Sequence, residues 1–354
     1  MRVVVAMSGG VDSTVAAAVL AEQGHEVIGL SMQLYDQSEG DTRFGSCCTL
    51  DDLHDARRAA ALLGIPHYIV NMERVFEQRV VDRFVTSYVE GRTPIPCVAC
   101  NSDVKFATLL ERAMGLEADS LATGHYVRLD RGTDGRWRLR RAVDATKDQA
   151  YFLFPLTQAQ LAHASFPLGS WTKTDVRDYA RRRGLPVADK PDSHEICFVQ
   201  TGRYAEFVEA RAGVATPPAG EITDTAGRTL GRHHGIHRYT VGQRKGLGIS
   251  ATIPLYVLEI DAGRNRVVVG DRAELGARSL VAREVNWIGG TPPTGPIVVN
   301  AQIRHRHQAA PATVEPRGGD GARVSFEEPQ MAVTPGQAVV FYDGDVMLGG
   351  GWIE

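Results

Sequence analysis

The 354-residue chain has few cysteines, almost no net charge and no long apolar run, and each shortage excludes something. Its five cysteines stand at 47, 48, 97, 100 and 197. An odd, sparse set argues against a disulfide framework and leaves thiol chemistry, metal binding or simple burial. The formal charge is −3, so no global field draws a polyanion, and a nucleic-acid site must be a local patch. No apolar stretch approaches membrane-spanning length. The apolar start gives way after a few residues to a glycine turn, unlike a secretory leader. A cytoplasmic protein with no membrane partner is expected. Internal repeats and low-complexity tracts are also missing.

What is present changes character along the chain. The first 200 residues alternate strand-like and helix-like pieces: strands at 3–6, 26–32 and 67–70, helices at 12–23, 50–63 and 104–114, and a further apolar piece at 120–123. This order implies an α/β doubly wound parallel sheet. Beyond about residue 200 proline and glycine cluster at 215–231 and helical patterns stop. From Leu255 onward short alternating runs dominate, and Asp343-Gly344 between two apolar runs signals a hairpin. The expected organisation is a nucleotide-type domain over 1–202, a small β-rich domain over 203–273 and a C-terminal β-barrel over 274–354.

The first chemical signal is VVVAMSGGVDST, residues 3–14. Glycines where a buried strand meets a helix let the backbone approach a ligand. The unpaired N–H groups of the helix start then face an anion. Ser8, Ser13 and Thr14 add hydroxyls. The turn lacks the Gly-Lys-Ser/Thr of the common NTPase loop and the G-x-G-x-x-G of dinucleotide folds. Asp12 beside bound phosphates calls for magnesium between them. The plain alternative is a tight turn with Asp12 and Ser13 as helix caps.

The second signal is thiol chemistry. Cys97 and Cys100 form a C-x-x-C in GRTPIPCVACN (91–101), ahead of a helix whose N-terminus favours thiolate. Cys197 lies far along the chain in the alternating segment 196–199. Half a structural zinc site is the alternative for the pair, with Cys197 as a third ligand and no fourth at zinc-ribbon spacing.

The turn S-G-G-V-D-S (8–13) resembles the signature of the N-type ATP pyrophosphatases, which adenylate a carbonyl oxygen. Together with GRTPIPCVACN, ATGHYVR (122–128), KDQAYFLF (147–154), DSHEICFV (192–199), TVGQRKGLGI (240–249), TPGQAVVFY (334–342) and LGGG (348–351), it resembles the tRNA-specific 2-thiouridylase family almost end to end. That resemblance implies 2-thiolation of the wobble uridine of tRNA. ATP with magnesium adenylates the C2 oxygen, then sulfur attacks C2 and AMP leaves. It implies nucleotide binding by Ala6, Met7, Ser8, Gly9, Gly10, Val11, Asp12, Ser13, Met32 and Gly124. It makes Cys197 the persulfide carrier and Cys100 the second catalytic cysteine. It places tRNA contacts at His125, Lys147, Asp148, Gln149, Arg304, His305 and Gln337. A cysteine desulfurase or another sulfur-donor protein is the implied partner besides tRNA.

The chain departs from the family pattern in one place. Ile95 and Cys97 stand where the family has asparagine and aspartate, so Ile95 offers no polar contact to the base. Cys97, Cys100 and Cys197 together also suit a four-iron four-sulfur cluster, which would make Cys97 part of sulfur delivery. Persulfide and cluster remain alternatives at this point. Burial is the expectation for Cys47 and Cys48. Residues 225–258 carry no acidic side chain but hold Arg228, Arg232, Arg238, Arg244, Lys245 and three histidines, which reads as an RNA-facing patch. Ile303 to His307 alternates and reads as part of a barrel face.

Overall fold

The computed structural model describes residues 1–35, 49–192, 196–199 and 202–354. Cys47 and Cys48 lie outside these. Among the described residues the strands form three sheets.

In the first sheet β1 (Arg2–Ala6), β2 (Glu26–Gln33), β3 (His67–Asn71), β4 (Ser120–Ala122) and β7 (Ala164–Ser165) are parallel, in the order β3-β2-β1-β4-β7. The order reverses beside β1, the switch point at which such sheets bind ligands. Both faces are covered. Val4 belongs to one apolar core, Val3 and Val5 to another on the opposite side, as the two-residue period of a strand requires. The helix α1 (Val11–Glu22) follows β1 and contributes the buried run Val15–Leu20 to the second core. The helix α2 (Leu50–Leu63) opens with a capping box between Thr49 and Asp52 and closes at Gly64 in the left-handed conformation.

The alternating strands and helices expected over the first 200 residues are present, with two additions and one correction. A hairpin of β5 (Val127–Arg131) and β6 (Trp137–Arg141) was not foreseen, although Asp134-Gly135 between alternating runs carries the turn signal. A helix at Tyr204–Ala212 also follows the point where helices were expected to stop. Tyr204 stacks on Tyr88 at 4.8 Å, and Phe207 and Val208 enter the first core. The segment 196–199 is a turn closed by Val199 N–H on the Ile196 carbonyl, not a strand. Adjacent Phe198 and Val199 are both buried, which an alternating strand on one face would not allow.

The middle region is the sheet β10-β11-β8-β9, built from β8 (Gly220–Thr223), β9 (Thr229–His233), β10 (Tyr256–Asp261) and β11 (Arg266–Gly270). The C-terminal strands β12 (Gly276–Trp287), β13 (Ile297–Gln302), β14 (Ala310–Arg317), β15 (Gly321–Met331), β16 (Ala338–Asp343) and β17 (Val346–Ile353) run β12-β15-β14-β13-β16-β17. The pairing of β12 with β17 closes the barrel. The expected hairpin at Asp343-Gly344 is there, with Gly344 at φ +57°. Strand β13 ends at Gln302, so 303–307 is a loop and not a barrel face; only Ile303 turns into the core.

The barrel and the α/β domain share one core. β17 pairs with β6, so the hairpin extends the barrel sheet. Ile288, Ala338, Val340, Tyr342 and Met347 pack in the same cluster as Phe76, Phe106 and Leu121. The Tyr151 hydroxyl donates to the Ala338 carbonyl at 2.9 Å, and the Asn286 amide donates to the Phe154 and Leu156 carbonyls.

Candidate active site

The glycine turn sits between β1 and α1. Gly9 has φ +71°, and a Cβ there would lie 2.1 Å from the Asp52 carbonyl oxygen, so the fold itself demands glycine. Gly10 differs. It is the N-cap of α1 with φ −93°, and a Cβ there would meet nothing nearer than Ser8 Oγ at 3.6 Å. The fold does not require its bareness, which leaves the backbone there open to close approach by a ligand. The helix has no side-chain cap. Ser13 Oγ accepts from the Ser8 N–H at 3.1 Å and donates to the Gly10 carbonyl, which holds the turn and leaves the first N–H groups of α1 uncapped. Asp12 and Ser13 are therefore not helix caps. Gly124 closes the other side: a Cβ there would stand 2.7 Å from the Ser13 backbone nitrogen.

Asp12 points to a charged cluster that sequence reasoning missed. Tyr126 Oη donates to Asp12 Oδ1 at 2.8 Å, and Lys173 Nζ lies 2.8 Å from both carboxylate oxygens. Burial and the Asp12 carboxylate both push the Tyr126 hydroxyl far up, so it remains a donor. Lys173 also reaches Asp192 Oδ1 at 2.8 Å. Asp192 is further bonded by Lys147 at 2.7 Å and Arg177 at 3.0 Å. Burial works to raise the Asp192 carboxyl, but the hydrogen bonds from Lys147 and Lys173 outweigh it and hold the group at about 2. The available sequence signal was Thr172-x-x-Asp175, a capping box that starts the helix Lys173–Arg182 and presents Lys173 at its first position.

A second lysine ties the same segment to the turn. Lys190 Nζ donates to the Gly9 carbonyl at 3.1 Å and to Asp52 and Asp55 at 2.6 Å each. Arg177 holds the Ala188 and Lys190 carbonyls. Residues 188–192 are thus strapped across the glycine turn, and Cys197 follows five positions on.

The C-x-x-C lies inside a helix, not ahead of one. The helix begins as Pro96–Ala99 with proline in its first turn, widens to π-helical winding at Cys100–Leu109 and ends as Leu110–Gly115. Such wide turns strain the backbone and concentrate at functional sites. Cys97 is exposed, and Cys100 and Cys197 are half-buried. Cys100 and Cys197 pack on the same apolar core. The half-buried Ile95 also packs on it and offers no polar group. Among the described residues no three His, Cys, Asp or Glu side chains are grouped to hold a metal ion. The iron–sulfur alternative on Cys97, Cys100 and Cys197 therefore finds no assembled ligand set among the described residues, with Cys97 exposed.

The approach to the cysteines joins three parts of the fold. Thr93 Oγ1 bonds Thr240 Oγ1 of the middle region at 3.2 Å. The Thr93 N–H donates to the Pro335 carbonyl, and the Gln337 amide donates to the Thr93 carbonyl at 2.9 Å. A Cβ on Gly336 would stand 2.9 Å from the Thr93 nitrogen. The runs 91–101, 240–249 and 334–342 meet here.

Several expected contact residues are engaged in the fold. Met7 and Met32 are buried core residues, and Ala6 and Val11 pack beside them. His125 is buried with Nδ1 2.7 Å from Thr123 Oγ1; burial, with Lys105 nearby, drives its pKa far down and leaves a neutral imidazole. Asp148 is buried against Arg141 at 3.0 Å and accepts the Ala142 N–H. Gln149 Oε1 accepts the Tyr126 N–H. These two and Lys147, which bonds Asp192, are held by the fold and are not a solvated loop. The His305 ring lies tilted against Phe152, centroids 4.5 Å apart, and Arg304 is exposed with its guanidinium on the Met331 carbonyl. The basic patch at 225–258 is smaller than its composition implied. His233 and His237 are fully buried, the latter on Glu209 at 2.8 Å; Arg238 pairs with Glu209 and Arg228 with Asp224. Arg232, Arg244 and Lys245 remain exposed. Among the described residues no helix is long and apolar enough to cross a membrane.

The chain matches family models described as a tRNA methyl transferase HUP domain over 1–201, a tRNA methyl transferase PRC-barrel domain over 205–271 and an aminomethyltransferase beta-barrel domain over 277–353. It is 55% identical to the tRNA-specific 2-thiouridylase MnmA of Geobacter metallireducens over all of this chain and 96% of that protein. It is 54% identical to the protein of the same name from Geotalea uraniireducens, over 100% and 95%. Among solved structures it is similar to a 4-thiouridine synthetase in an RNA complex with bound ATP, at 14% identity and a TM-score of 0.35, over 60% of this chain and 51% of that one.

Proposed function

Since the chain belongs to the tRNA-specific 2-thiouridylase (MnmA) family, we propose how its own residues carry out that family's reaction. The activity is ATP-dependent 2-thiolation of the wobble uridine, by adenylation of the C2 carbonyl and then sulfur transfer. The α1 N-terminus and the bare backbone at Gly10 receive the triphosphate, with Ser8 and Ser13 supplying hydroxyls and Ala6, Met7, Gly9 and Val11 forming the floor. Met32 and Gly124 border the nucleoside. The Asp12 carboxylate at that turn suits magnesium, which would screen the phosphates and draw charge from the α–β bridge as pyrophosphate leaves.

Adenylation turns a poor electrophile into one with a good leaving group. Cys197, carrying a persulfide, attacks C2 with its outer sulfur, and AMP departs. Cys100 then attacks the inner sulfur of Cys197, which breaks the S–S bond, releases the thiolated base and leaves a Cys100–Cys197 disulfide that an external thiol reduces before the next turnover. The persulfide route is favoured over an iron–sulfur cluster because the three thiols are not grouped as ligands. The sulfur comes from a cysteine desulfurase or another donor protein, and the reaction takes place in the cytoplasm. On the tRNA side Arg304 and His305 contact the RNA beside the barrel. His125, Lys147, Asp148, Gln149 and Gln337 act from beneath, by shaping the surface that meets it.

The observation that supports this reading is the strap of Lys190 and Asp192 across the glycine turn, with Asp192 five residues before Cys197 in the chain. Pyrophosphate release from ATP that depends on added tRNA tests it. Asp12→Ala is expected to abolish release, whereas Cys197→Ser is expected to spare adenylation and abolish thiolation.

A further inference from the structure

We propose that Lys173 is a phosphate-binding residue for the nucleotide: its ammonium, held between Asp12 and Asp192, moves from Asp12 to the triphosphate when ATP and magnesium arrive. This rests on the reading that the turn at 8–13 takes ATP.

Its backbone is fixed. Lys173 is the first residue of a helix capped by Thr172 and Asp175, and its own N–H donates to Asp144 Oδ2 at 3.0 Å. Only the flexible stem is left to move. Its ammonium has three protons and three acceptor oxygens, two on Asp12 and one on Asp192, each at 2.8 Å. The side chain is only 12% exposed, so this is a built contact and not a surface encounter.

The two ends of the bridge are unequal. Asp192 keeps Lys147 and Arg177 if Lys173 shifts. Asp12 keeps the neutral Tyr126 hydroxyl, which brings no compensating charge. Asp12 is therefore the labile end. A divalent cation on Asp12 needs an oxygen that Lys173 now occupies, and like charges cannot share it at this distance. The displaced ammonium stays tethered to Asp192 beside the uncapped start of α1, where a polyphosphate adds negative charge. Lys190 cannot play this part, because its protons are committed to Gly9, Asp52 and Asp55 and hold the turn together.

Asp192 is then a positioning residue, acting through Lys173. It also stands five residues before Cys197 in the chain.

Equilibrium titration of the full chain with magnesium–ATP and with adenosine, followed without turnover, tests this. Removing one charge-assisted hydrogen bond to the triphosphate weakens binding about tenfold or more. Lys173→Met is expected to show that weakening for magnesium–ATP and a change within about twofold for adenosine, with Lys173→Arg recovering part of the affinity. If Lys173 merely braces the fold, the melting temperature falls while both affinities hold, and the proposal is overturned. Equal weakening for ATP and adenosine overturns it as well. Should the Met variant not fold, Lys173→Gln carries the same comparison. A wild-type chain that binds ATP but never thiolates tRNA would refute the proposed function and leave this inference standing.

Discussion

Replacing Asp192 by asparagine removes the charge that three cations share. Its carboxyl is held at about 2 against an ordinary value of 3.8, burial being outweighed by hydrogen bonds from Lys147 and Lys173. A tenfold change in proton affinity corresponds to about 1.4 kcal/mol, so ionised Asp192 contributes on the order of 2 kcal/mol to the folded state at neutral pH. The sign follows from the depressed value. The contribution is complete above the unfolded pKa and is lost as pH falls toward about 2. Near pH 3 roughly half of it remains. For a unit of this size ~2 kcal/mol corresponds to a drop of about 4–8 °C in melting temperature. Thermal melts of wild type and Asp192→Asn at pH 7 and at progressively lower pH read this out. The gap is expected to be widest at neutral pH and to close on acidification. No gap at pH 7, or one independent of pH, would refute the claim that the ionised carboxylate is what holds Lys147, Lys173 and Arg177 together.

The two glycines of the turn separate fold from ligand. Gly9→Ala puts a side chain against the Asp52 carbonyl at positive φ, and is expected to lower the melting temperature by several degrees. Gly10→Ala meets no obstacle and is expected to leave stability unchanged while weakening nucleotide binding by tenfold or more, on the order of 1.4 kcal/mol. Gln337→Ala removes the amide on the Thr93 carbonyl and should cost about 1 kcal/mol. Its expected signature is slower thiolation with unchanged ATP affinity, because the bond acts on the approach to the cysteines and not on the glycine turn.

The parallel sheet was legible because strand and helix periods alternate cleanly over the first 120 residues, and the turn at 8–13 because glycine and hydroxyl residues stand where a strand stops. The hairpin at 127–141 was missed because it is charged on its exposed side and joins a sheet formed some 200 residues later. Lys173, Lys190 and Asp192 were overlooked for a related reason. Lysines and aspartates far from a glycine turn carry no local sign that they will close over it. The opposite error occurred at 225–258, where counting basic residues hid that His233 and His237 are buried and that Glu209, outside the counted window, neutralises Arg238. Composition shows which charges a segment holds, but their partners are set by tertiary pairing.

In the proposed reaction Cys197 carries sulfur to a uridine carbonyl activated at the Ser8–Ser13 turn. Mass spectrometry of tRNA nucleosides, from cells whose sole copy of this protein is wild type or Cys197→Ser, tests it most directly. Wobble 2-thiouridine is expected in the first and its loss in the second, with the variant folded and still binding ATP. Normal 2-thiouridine in the Cys197→Ser strain would contradict it.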